Sequence, residues 1–69
     1  MACEKQDELR RTAMEILKRI DALTEVQIQA MRDRDDEKLM EADKQLEVLF
    51  GEKQRTYGAL FDHRNEHGC

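Results

Sequence analysis

The sequence predicts an all-α fold: an antiparallel two-helix hairpin over about 4–32 and 36–62, pairing with a second copy into a dimeric four-helix bundle. Three observations carry that expectation. Apolar residues recur at alternating steps of three and four in both halves, seven consecutive charged residues separate the halves, and the chain has no Pro and three Gly in 69 residues. A sandwich or barrel would need turn residues every 8–12 positions or so, and a βαβ-built domain would need more chain. Leu, Ile, Val and Phe together number 14, and 41% of the residues are charged. Chains below about 70–80 residues seldom bury enough apolar surface to stand without a metal, a disulfide or a partner. Residues 1–69 therefore read as one helical domain that needs help.

The first helix is marked by Leu9, Ala13, Ile16, Ile20, Leu23, Gln27 and Ala30. Their spacing is the seam of a helix packed lengthwise on another. The second is marked by Leu39, Ala42, Leu46, Leu49, Lys53, Thr56 and Leu60 in the same rhythm. Extending the first seam through the charged block would bury Arg34, Glu37, Glu41 and Lys44, which the cost of burying charge forbids. The phase therefore breaks near 33–35, where Asp33 or Asp35 can cap a second helix that starts with Asp36 and Glu37. The two seams mirror each other. Leu9 with Leu60, Ile16 with Lys53, Ile20 with Leu49, Leu23 with Leu46 and Ala30 with Leu39 share a constant total of residue numbers, 69. Antiparallel pairing requires such a constant total, so the hairpin is preferred to one long bent helix. Each arm of about 30 residues should be about 45 Å long.

A hairpin uses one seam per helix, and each helix carries a second. Met14, Leu17, Thr24, Ile28 and Met31 follow one flank of the first, and Met40, Phe50, Tyr57 and Phe61 follow one flank of the second. Antiparallel packing places these two flanks on the same side of the hairpin. The other side, with Thr12, Arg19, Val26, Gln45, Glu52 and Ala59, is mostly polar. Met14, Leu17, Ile28, Met31, Phe50, Tyr57 and Phe61 are accordingly the expected partner interface. Self-association is favoured, and a client helix on an adaptable Met-rich surface is the alternative. Within the inner seam, Lys53 should lift its ammonium toward Glu52, Glu15 or Glu47, and Gln27 reads as polarity tolerated near a wet edge.

The C-terminal tail, residues 63–69, carries the one cluster with metal-ligand chemistry. His63 and His67 are four apart and share a helix face, Cys69 follows Gly68, and the register brings residue 3, a cysteine, opposite residue 66. Cys3, His63, His67 and Cys69 could together hold zinc tetrahedrally, which makes a small metal-binding or thiol-based sensor the second functional reading. A disulfide between Cys3 and Cys69 would clip the same ends. Frayed termini with solvated side chains are the plainer reading, so no cofactor is the default.

Other functions are disfavoured. The chain has no Ser, no Gly-rich phosphate loop and no Glu-x-x-His pair, so no enzyme is expected. A net charge of −4, with 16 acids among 12 bases, argues against nucleic acid. No apolar run approaches the 18 or so residues of a membrane span, and the first eight lack a signal-peptide core, so the expected localisation is cytoplasmic. The segment Arg32 to Glu41, a charged turn leading into Leu39-Met40-Glu41, resembles flagellar export chaperones of the helical-bundle kind. The match covers ten residues and transfers no functional residue. What it implies is a chaperone or adaptor reading for the exposed flank.

Overall fold

The computed structural model describes residues 2–67, with side chains described over 4–66. It consists of two helices, α1 (Ala2–Asp33) and α2 (Asp36–His67), packed along their length as an antiparallel hairpin. The rod measures 49 × 14 × 11 Å, the length that about 32 residues span at a helical rise of about 1.5 Å.

The turn is built without glycine. Arg34 adopts a left-handed conformation with φ of 56°. The Asp35 amide donates to the Ala30 carbonyl at 2.9 Å, and the Arg34 amide to the Met31 carbonyl at 3.3 Å. These two bonds make the Schellman closure that satisfies the last carbonyls of α1. Asp35 then serves as the cap of α2. Its Oδ1 accepts from the Lys38 amide at 3.1 Å, and its carbonyl accepts the first helical bond, from the Leu39 amide, at 3.0 Å. Asp35, not Asp33, is therefore the capping residue. Asp33 instead accepts from Gln29 at 3.3 Å, one turn back in α1. An L-residue in the left-handed region costs about 1–2 kcal/mol, part of which glycine gives back through its freer unfolded state. Arg34→Gly should therefore raise the stability of the hairpin by about 1 kcal/mol, measured as a higher melting midpoint.

The core follows the mirrored seam. Ala13, Ile16, Ala30, Ala42, Leu46 and Leu49 are buried, and Ile20, Leu23, Leu39 and Leu60 are half-buried. Three of the six buried residues are alanine, so the helices are held by few large side chains. The seam also runs one step past Leu9 and Leu60 to Gln6 and His63. Gln6 is 4% exposed, although polarity had hidden it from the hydropathy pattern. Helix α2 likewise continues to His67 and does not end near residue 62. Gly51 and Gly58 do not break α2, and within the chain neither lies against the other helix. A Cβ at Gly58 would meet nothing within 4 Å, and one at Gly51 would touch Arg55 Nη1 at an ordinary 3.5 Å. No helix of the described residues is long and apolar enough to cross a membrane.

Candidate docking surface

The seam spacing dictates which residues are left outside it. In heptad terms the seam occupies positions a and d, so positions b and e of both helices fall on one flank. The structure leaves that flank open. Met14 is 57% exposed, Met31 67%, Met40 63% and Phe61 57%. Leu17, Ile28 and Phe50 are exposed as well, each by about two fifths, and Tyr57 is half-buried. Each residue expected at a partner interface thus lies on this flank, and Met40 joins them.

Taking about 190 Å² for a fully accessible large side chain, the seven exposed residues present about 700 Å² of apolar surface. That area falls into two parts of a few hundred Å² each, the size of the largest patch on a typical soluble monomer and often a functional one. The whole molecule is affected: its surface of 5496 Å² exceeds by about a fifth the roughly 4,500 Å² of a compact monomer of its mass.

The flank is not uniformly apolar. Tyr57, Met14, Leu17 and Phe50 lie around the middle of the rod, with Phe61 toward its open end. Ile28, Met31 and Met40 lie near the turn. Between the two groups runs an acidic band of Asp21, Asp43 and Glu47, all exposed. Gln27, half-buried in the seam, donates to Asp43 Oδ1 at 3.5 Å and ties the two helices across this band.

Lys53 departs from expectation. Its ammonium does not turn to Glu52, Glu15 or Glu47. It lies over the rings of Phe50 and Tyr57, 5.5 and 5.8 Å from their centroids. The lysine stem leaves the seam on the aromatic side, where the faces of two rings attract the cation. The Lys53 ammonium near the centre of the flank is therefore held by aromatic rings.

The opposite flank also holds a feature that the sequence pattern did not reveal. A shallow groove of about 460 Å³ is lined by Ala22, Leu23, Val48 and Leu49 between Arg19, Gln45 and Glu52. Val48 is 61% exposed at a position outside both stripes. The groove exists because Ala22 is too small to fill the space beside the half-buried Leu23.

Of the candidate metal ligands, His63 is described and is half-buried on the inner seam opposite Gln6. The side chains of Cys3, His67 and Cys69 lie outside the described residues. Among the described residues no group of three or more His, Cys, Asp or Glu is placed to hold a metal ion. No family model, no curated protein and no solved structure matches this chain.

Proposed function

We propose that the chain is a non-enzymatic interaction or scaffold module that works as a homodimer, two hairpins packing through the Met14/Leu17/Ile28/Met31/Met40/Phe50/Tyr57/Phe61 flank into a four-helix bundle. The observation that carries the reading is the area of that flank. Two copies covering about 700 Å² each would bury about 1,400 Å², within the range of specific, stable protein interfaces. The thin core is the second support. A hairpin whose centre is half alanine gains little from its own packing, and a second hairpin supplies the missing apolar layer. The Met content suits tight filling of such a layer.

Self-association links stability to concentration, because the partner binds the folded chain alone. For a dimer of this size the melting midpoint should rise by about 5 °C for each tenfold increase in protein between about 2 and 200 µM. A midpoint that is constant over that range, with a monomer throughout, would contradict the reading and assign the flank to a different protein, such as a client helix.

A further inference from the structure

We propose that Met14, Met31 and Met40 are sites of reversible oxidation, and that their conversion to sulfoxides by hydrogen peroxide separates the two hairpins of the homodimer on which this inference rests.

Methionine is confined to one place in the molecule. Among the described residues, the buried seam holds alanine, isoleucine, leucine and one glutamine, and no methionine. The three methionines whose side chains are described all lie on the open flank, and each is more exposed than Leu17, Ile28 or Phe50 beside it. Together they supply about half of the roughly 700 Å² of apolar surface there. The part near the turn depends on them most, because its apolar residues are Ile28, Met31 and Met40. Leucine would give similar area and equal helix propensity without an oxidisable sulfur.

The thioether sulfur attacks one oxygen of the peroxide and keeps it, and the O–O bond breaks. The departing hydroxide takes the remaining proton and leaves as water. Sulfur gives up two electrons and the peroxide accepts them. A thiol-dependent methionine sulfoxide reductase reverses the step, turning two thiols into a disulfide and releasing the oxygen as water.

The product carries a polar acceptor on a side chain that was apolar. In the separate hairpin, water satisfies it. In the dimer that water is lost against apolar groups, and two-fold symmetry imposes each penalty twice. The buried seam offers peroxide no thioether, so the change acts on association and spares the hairpin. The linkage is reciprocal: the dimer covers the sulfurs that peroxide must reach, so association slows oxidation as oxidation opposes association.

The test uses the unsubstituted chain, shown to dimerise before treatment. It is partly oxidised with hydrogen peroxide, and dimer and monomer are separated by size-exclusion chromatography. Dithiothreitol in the buffer returns any disulfides to thiols and leaves sulfoxides in place. Peptide mass spectrometry then reads the sulfoxide content of each fraction. Sulfoxides at Met31 and Met40 are expected to be at least about tenfold enriched in the monomer, and full oxidation to raise the dissociation constant at least about a hundredfold. The helical circular dichroism of the oxidised chain should match that of the untreated chain diluted to the monomer. Sulfoxide reductases acting on both epimers should restore the dimer. Equal sulfoxide content in the two fractions, an oxidised chain that dimerises as tightly as before, or dissociation that the reductases do not reverse overturns the switch and leaves the homodimer standing. An oxidised monomer less helical than the diluted one also overturns it, because the damage would then lie in the hairpin. Absence of a dimer before treatment overturns the reading on which the switch rests.

Discussion

Leu46→Ala is expected to lower the melting midpoint by at least about 10 °C and to leave the chain partly unfolded at 37 °C. Leu46 is 4% exposed and sits in the seam opposite Leu23. Truncating a buried Leu removes its transfer free energy and leaves a cavity, at a cost of about 2–5 kcal/mol. Whole domains hold about 5–15 kcal/mol, and short ones hold the least. The loss cannot be absorbed by rearrangement, because Ala42 and Leu49, the seam residues on either side, are themselves buried and one of them is already minimal. Loss of helical circular dichroism on heating is the direct measurement. A fall of less than about 4 °C would mean that the mirrored seam is not the core.

Phe50→Glu should have the opposite pattern, with little damage to the hairpin and loss of the dimer. Phe50 is 44% exposed on the outer flank, so its replacement removes little from the core. Within the chain, the new carboxylate would stand one helical turn from Lys53, whose ammonium already lies 5.5 Å from that ring, and the pair would keep the side chain solvated. In the proposed dimer this carboxylate would have to lose its water at the interface, which is costly. The dissociation constant should rise at least about a hundredfold, equivalent to roughly 3 kcal/mol. Val48→Glu is the control. Val48 is more exposed than Phe50 but lies on the opposite flank beside the shallow groove, so this change should leave the dimer intact. Equal weakening by both substitutions would mean that the b/e flank has no special part in association.

The two substitutions also mark which parts of the molecule could be read from sequence. The hairpin register was legible because Leu23 and Leu46, and each pair above and below them, keep a constant total of residue numbers, as antiparallel seams require. The exposed flank was legible for the same reason: once the seam is assigned, Met14, Leu17, Phe50 and Phe61 have no inward position left. Polar seam residues carry no hydropathy signal, so Gln6 and His63 were missed and α2 was expected to end short of His67. The turn hid its geometry because its left-handed position holds Arg34 where glycine would have announced it. The choice between Asp33 and Asp35 as cap depended on which residue followed the Schellman closure, a matter of hydrogen bonds and not of composition. Lys53 was placed by charge pairing when aromatic faces were nearer, and the groove at Val48 arises from the small size of Ala22, which no periodicity encodes.

A homodimer requires that the exposed flank be covered by a second copy of this chain. Sedimentation equilibrium of the unsubstituted protein tests it most directly. The chain has a mass of 8.2 kDa, so the expected species is one of about 16 kDa at micromolar concentration that dissociates on dilution and is absent in Phe50→Glu. A folded species of 8.2 kDa at every concentration, with the same helical content and melting curve in Phe50→Glu, would contradict it.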